Sequence, residues 1–306
     1  MTARVTGCLA LAALLAACGS SNGIPQLTFG YDTSAPLGYV DRGRINQPSY
    51  PIAVHDISFR SGTLQIDGFL LLPPGKGRRP AVVFVHGSGG DRRELLAQAA
   101  WLAARNVVTM TITEPSTSNP PAQVTTESEF VRQVRDVQVR DTVTVRRAVD
   151  VLQSLPEVDP QRIGYLGWSA GAKTGAFIAA SDRRVKALVL LSAGAAQLAE
   201  FVANAPAPLQ SSVRQILGSV DPIRYIAAAR PGSVLLEDGT KDEVVPHAAL
   251  LNIVHAAPSG TTVHWYKAKH ALDNAAYHDA FAWLAGKLPV DGPRVPGAVT
   301  ESTARR

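Results

Sequence analysis

The chain has 306 residues, 46% of them hydrophobic and 18% charged, enough to bury one sizeable core and too apolar for a disordered protein. Thirty Lys and Arg against 25 Asp and Glu give a net charge of +5. The basic residues are scattered as singles and short pairs such as Arg78-Arg79 and Arg146-Arg147, too diffuse for a nucleic-acid footprint.

In chain order, residues 1–17 read as an export signal: Arg4 supplies a positive start, residues 5–17 are largely apolar, and Leu15-Ala16-Ala17-Cys18 ends the run. These residues resemble the bacterial lipoprotein lipobox. The resemblance implies a lipid on the Cys18 thiol, cleavage before it, and a protein anchored to the outer face of the cytoplasmic membrane or elsewhere in the cell envelope. A plain signal cut near Ala17, or an uncleaved anchor, are the other readings; the run of about 13 residues is short of the ~20 that span a bilayer. Cys8 and Cys18 are the only cysteines, and Cys8 leaves with the signal, so no internal disulfide is expected. No Cys-x-x-Cys or His-Glu-x-x-His occurs, so no metal site is legible.

Residues 18–50, rich in Ser, Asn, Gly, Pro and Gln with little periodicity, suit a tether, and the folded domain is expected over residues 51–288. It opens on two alternating runs, 52–59 and 64–72, joined by Arg60-Ser61-Gly62 as an antiparallel hairpin. Ala81-Val82-Val83-Phe84-Val85 then has the continuous apolar character of a strand buried on both faces. A helix is expected over 91–105, a strand over 107–112, a Pro-rich loop over 114–127 and a long amphipathic helix over 130–155. Strand 162–166, helix 169–180 and strand 185–191 follow. Residues 195–230 show helical pieces and no strand, which suggests a small cap. Strand 233–236, a helix at 247–255, strand 261–266 and a helix over 272–288 complete the alternation, with a disordered tail over 289–306. Such units close into one mostly parallel, doubly covered open α/β sheet.

Gly167-Trp168-Ser169-Ala170-Gly171 sits between a strand and a helix. A strained turn there pushes the Ser169 hydroxyl out above the sheet edge, and the flanking glycines let neighbouring backbone pass. A nucleophilic serine needs a base, and the base needs a carboxylate to orient it; both must follow strands that end at the same edge. His270, in a short loop after strand 261–266, fills the first role. Asp242 fills the second, with Asp238 as a rival more simply read as a turn residue before Gly239. The other histidines, His55, His264, His247, His255 and His278, lie inside strands or helices and read as structural. His86 opens His86-Gly87-Ser88-Gly89-Gly90, whose Ser88 N–H could join Ala170 N–H in an oxyanion hole. The other reading of this segment is a plain Gly-rich turn; Lys-Ser/Thr of a phosphate loop is missing.

The order Ser169, Asp242, His270 with the His-Gly-Ser-Gly-Gly segment and the elbow resembles the α/β-hydrolase fold over residues 52–288. Asp221-Pro222-Ile223-Arg224-Tyr225-Ile226 and residues 239–246 look like its dienelactone-hydrolase and prolyl-oligopeptidase-like branch. Dienelactone hydrolases use cysteine where this chain has Ser169, and relatives usually have glycine in place of Ala172; Lys173 reads as a helix-surface residue or a pocket residue. The resemblance implies a cofactor-free serine esterase acting on a small-molecule ester. An acyltransferase, thioesterase or aminopeptidase using the same three residues, and a non-catalytic tethered binding module, are the alternatives. Trp168 either borders the acyl site or packs into the core.

Overall fold

In a computed structural model, residues 27–289 are described, apart from residues 48, 196 and 197 and the side chains of residues 127 and 199–201. The expected signal, Cys18 and the tail beyond residue 289 lie outside the described residues. Nine strands form one sheet in the order β1-β2-β3-β5-β4-β6-β7-β8-β9. They are β1 (Val40–Arg44), β2 (Val54–Ser61), β3 (Leu64–Leu71), β4 (Arg79–Val85), β5 (Val108–Ile112), β6 (Val158–Trp168), β7 (Val185–Leu191), β8 (Val234–Gly239) and β9 (Thr262–Tyr266). The first three and the β3/β5 pair are antiparallel; every pair from β5 to β9 is parallel.

Successive residues of the central strands point to opposite faces, and both faces are covered. Val83 and Val85 join a cluster with α3 (Glu127–Ser154) and α4 (Ala170–Ser181), represented by Val149, Leu152, Ala172 and Ala176. Val82 and Phe84 join the opposite cluster with α1 (Leu96–Ala103) and α9 (Asn274–Lys287), represented by Leu102, Phe281 and Leu284. This explains the unbroken apolar run of β4: neither face is wet, so period-two alternation is lost.

Register fixes where chemistry can gather. Val85 pairs with Gly167, Trp168 with Leu191, and Leu191 with Glu237, so β4, β6, β7 and β8 end at one edge. Loops after those ends hold residues 86–90, 169 and 240–246. Between β7 and β8 come α5 (Leu198–Asn204), a 3-10 turn (Ala207–Leu209), α6 (Gln210–Ser219) and α7 (Pro222–Ile226), the helical cap. The 114–127 loop contains a short helix, α2 (Pro115–Ser118). Residues 91–95 make turns rather than the first part of α1, because Asp91 accepts from the Arg93 amide and side chain. Helix α3 starts earlier than expected, at a Thr126/Glu129 capping box. Helix α8 (His247–Ala256) follows Pro246.

The tether expectation is corrected for residues 27–50. Phe29 is buried, its ring 5.6 Å from Phe177 and 5.5 Å from Tyr225, and the Tyr31 hydroxyl donates to Asp150 at 2.9 Å. Arg147 donates to the carbonyls of Ala35 and Pro36, and β1 adds an antiparallel edge to β2. The segment gives no periodic signal because its aromatics bind singly and β1, Val-Asp-Arg-Gly-Arg, is a polar edge strand.

Candidate active site

Ser169 terminates β6 and caps α4, with φ 55° and ψ −112°, a left-handed backbone rare for a residue with a Cβ. The neighbouring glycines are required by close approach. A methyl at Gly167 would strike the Gly171 carbonyl, and one at Gly171 would strike the carbonyls of Val85 and His86. The Ser169 amide donates to Leu191 O at 2.8 Å and the Gly171 amide to His86 O at 3.1 Å, tying the turn to the ends of β7 and β4. Beneath it the buried Tyr165 hydroxyl donates to Gly171 O at 2.5 Å. Tyr165→Phe removes that bond inside the core; a loss of about 1–2 kcal/mol, read as a fall of a few degrees in a thermal melt, is expected. An unchanged melt would show that the hydroxyl does not hold the turn.

Ser169, Asp242 and His270 are brought together by three loops. His270 Nε2 lies 2.9 Å from Ser169 Oγ, and Nδ1 lies 2.8 Å from Asp242 Oδ2. A carboxylate can only accept, so the imidazole proton is on Nδ1 and the Nε2 lone pair faces the serine hydroxyl. Asp242 is buried, its Oδ1 accepting from the amides of Val244 and Val245 at 2.8 and 2.9 Å. The His270 carbonyl accepts from Trp168 Nε1 at 3.0 Å and Ser192 Oγ at 2.9 Å, which fixes the loop that carries the ring. Trp168 therefore braces the His270 loop, its ring 5.3 Å from the imidazole. Neither it nor Ser192 was legible as a positioning residue, since a hydrogen bond to a backbone carbonyl leaves no pattern in sequence.

Asp238, the rival acid, lies deeper. It accepts from the Ala193 amide, and burial with the charge of Asp242 raises its carboxyl to about 7. Its neighbour Glu237 is fully buried and raised to about 8 by burial; Oε1 accepts from Tyr266 at 3.1 Å and Oε2 has no partner. The five remaining histidines stand apart: His55 binds Asp41, His278 packs on Trp101, His247 on Trp265, His264 lies beside Glu237, and His255 is in the last turn of α8.

The loop after β4 is braced from two sides. His86 is buried; its Nε2 accepts from the Glu114 amide at 2.9 Å, so Nδ1 donates to Gly87 O at 2.7 Å. The Gly87 amide is consumed by Glu94 Oε2 at 2.7 Å, and Ser88 is exposed at the loop tip. Ala170 is the first residue of α4, where amides have no intrahelical acceptor. Glu114 has a fully buried carboxyl that accepts from Thr174 at 3.0 Å; burial and the nearby Asp141 push it well above the usual range. Lys173 lies one turn beyond the elbow, its amide 3.0 Å from Ser169 O, and burial lowers its ammonium against the opposing pull of Asp221. Among the described residues no group of three His, Cys, Asp or Glu side chains is arranged to hold a metal.

Residues 145–219, spanning the end of α3, the elbow and part of the cap, match the model of the family described as BAAT / acyl-CoA thioester hydrolase C terminal. Polyketide transferase ATR5 of Stachybotrys chlorohalonatus is 30% identical over 138 residues, 44% of this chain and 42% of that protein. The chain thus matches less than half the length of that relative. Acetyl xylan esterase 1 from Thermoanaerobacterium superposes with TM-score 0.69 at 16% identity, over 83% of this chain and 89% of that one. Acetyl xylan esterase from Paenibacillus sp. R4 gives TM-score 0.69 at 18% identity, over 83% and 90%. With its parallel sheet, helices on both faces and serine at the β6–α4 elbow, the chain has the α/β-hydrolase fold.

Proposed function

We propose that the protein is a serine esterase that cleaves carboxylic esters through an acyl-enzyme. The observation that carries the reading is the continuous hydrogen-bond chain from Ser169 through His270 to Asp242. His270 Nε2 takes the hydroxyl proton as Ser169 Oγ bonds to the acyl carbon, while Asp242 stabilises the imidazolium. The tetrahedral oxyanion is held by the amides of Ser88 and Ala170. Collapse breaks the ester C–O bond, and His270 returns the proton to the departing alcohol. Water then repeats the sequence on the acyl-enzyme, giving the acid and free Ser169. No step requires a cofactor.

A second reading, transfer of the acyl group to or from a thiol or another nucleophile, is favoured by the names of the two partial sequence matches, an acyl-CoA thioester hydrolase family and a polyketide transferase. The chemistry up to the acyl-enzyme is common to both. A fluorophosphonate probe should add one covalent adduct, localised by mass spectrometry to Ser169. Nitrophenyl esters, acyl-CoA thioesters and peptide nitroanilides then separate the substrate classes, with esters expected to turn over fastest. An unlabelled, inactive protein would mark a binding module instead. The proposal extends to location: the residues before the described domain carry the lipobox-like Leu15-Ala16-Ala17-Cys18, which supports export and lipid anchoring at Cys18. Radiolabelled palmitate should enter the expressed protein and not its Cys18→Ala variant.

A further inference from the structure

Folding gathers cations that the sequence spreads out. Strands β4, β6, β7 and β8 are neighbours and parallel, so the segments entering them share the edge of the sheet opposite the one that carries Ser169. Lys76 and Arg78 precede β4, Arg183 and Lys186 flank the start of β7, Arg230 precedes β8, and Lys287 ends α9. All are exposed except Lys186, which is half-buried. A strand spacing of about 4.8 Å puts the entries to β4, β7 and β8 within roughly 15 Å of one another. Contacts between the segments confirm that they lie side by side. The Arg183 carbonyl accepts from Lys186 Nζ and from Arg230 Nη2, each at 3.0 Å. A methyl at Gly232 would lie 3.8 Å from Lys287 Nζ, and Arg162 donates to the carbonyls of both Arg78 and Pro289.

Most acids at this edge are already spent. Asp159 pairs with Arg162 at 2.8 Å, and Asp150 and the buried Asp182 each pair with Arg184 at 2.5 Å. Glu157, at the entry to β6, and Asp32, whose carboxylate accepts from Ser34, are what stands against the six cations. Among the described residues none of the six is in an ion pair. The N-terminal segment comes to the same edge, because the Tyr31 hydroxyl accepts from Arg184, next in sequence to Arg183, at 3.2 Å. We propose that this edge is a docking surface for an anionic lipid bilayer. Charge complementarity is one argument, since each exposed Lys or Arg is attracted to anionic headgroups over about a Debye length. Reach is the other, and it rests on the lipid anchor proposed at Cys18. Leu27 is nine residues beyond Cys18, at most about 30 Å of extended chain, so an anchored domain is held against headgroups and turns its cationic edge to them. Ser169 then opens away from the bilayer, toward soluble substrate.

The test uses the full chain with Cys18→Ala, so that no attached lipid takes part, sedimented with vesicles of phosphatidylcholine alone or mixed with phosphatidylglycerol. Partitioning onto the anionic vesicles should be stronger by roughly tenfold or more at low salt, and the preference should vanish as salt shortens the Debye length from ~10 Å to ~3 Å. Arg183→Glu combined with Arg230→Glu and Lys287→Glu should abolish the preference. Arg93→Glu combined with Arg132→Glu and Lys267→Glu makes the same change of net charge on exposed residues toward the opposite edge, and should keep it. Each triple variant is first matched to the parent in a thermal melt; glutamine at Arg183, Arg230 and Lys287 is the gentler form and should weaken the preference partly. Equal partitioning onto the two kinds of vesicle, or equal losses in the two triple variants, overturns the proposal. Release from the vesicles by duplex DNA at equal phosphate concentration also overturns it, assigning the edge to nucleic acid. Failure of palmitate to enter the parent chain removes the Cys18 anchor alone, since the vesicle preference is read without it.

Discussion

Ser169→Ala is expected to lower kcat for a nitrophenyl ester by about a million-fold and to leave KM and the thermal melt nearly unchanged. In the proposed reaction the hydroxyl is the atom that becomes bonded to substrate; His270 Nε2 hydrogen-bonds Ser169 Oγ and Nδ1 hydrogen-bonds Asp242, while Trp168 only packs on the ring. His270→Ala should cost about as much as Ser169→Ala, and the double variant little more than either, because the two act as one unit. Asp242→Asn is expected to cost roughly ten-thousand-fold, since an amide can donate to Nδ1 and so place the imidazole proton on the nitrogen that must accept. Asn in place of Asp also leaves the acceptor for the Val244 and Val245 amides, so the loop should keep its shape. Steady-state kinetics with burst titration of active sites measures all three. A Ser169→Ala protein that keeps more than about a hundredth of the activity would mean that the reaction does not pass through this residue.

Glu237→Gln should stabilise the protein at alkaline pH and flatten the dependence of stability on pH. Burial is the main cause of the raised carboxyl, about 8 against an ordinary 4.5, with Asp279 and Asp238 adding to it and the Tyr266 hydroxyl opposing. His264 Nδ1 stands 3.5 Å away and tempers the effect wherever it carries charge. Between about 4.5 and 8 the folded protein holds a proton at Glu237 that the unfolded chain has released. Stability therefore falls as pH rises through that window, and the loss is complete above the folded value. Asp238 adds the same sign between 3.8 and about 7. Glutamine keeps the shape of the protonated acid and never ionises, so the variant should gain on the order of 2–4 kcal/mol at pH 9 and little at pH 4. For a domain of this size that is roughly 5–10 °C in a melting scan at pH 9. Equal melting curves for the two proteins at pH 9 would show that Glu237 is ionised at no cost in the fold.

Much of the architecture follows from two periodicities. The buried central strands are continuous apolar runs, and the helices between them carry an apolar stripe, so parallel order and two-faced coverage were readable from residues 81–191 alone. Ser169, Asp242 and His270 were readable because each must follow a strand at the same edge, a constraint few residues meet. What escaped was held by single contacts without a repeat. Phe29 wedges between two aromatic rings, and β1 is held by backbone pairing and by polar contacts of Asp41 with His55 and of Arg42 with Asp56 and Asp67, none of which repeats. Trp168 and Ser192 act on the His270 carbonyl, and a backbone acceptor has no letter in the sequence. The early start of α3 was in principle visible as Thr126 followed three residues later by Glu129.

The positive φ at residue 169 also restricts which side chains can replace the serine. An unbranched Cβ tolerates that conformation, whereas a β-branched one crowds its own backbone, so Ser169→Cys is open to this turn and Ser169→Thr is not. The protein can drift toward thiol chemistry by swapping one chalcogen atom, and the neighbouring residue type that shares serine's hydroxyl is closed to it by shape.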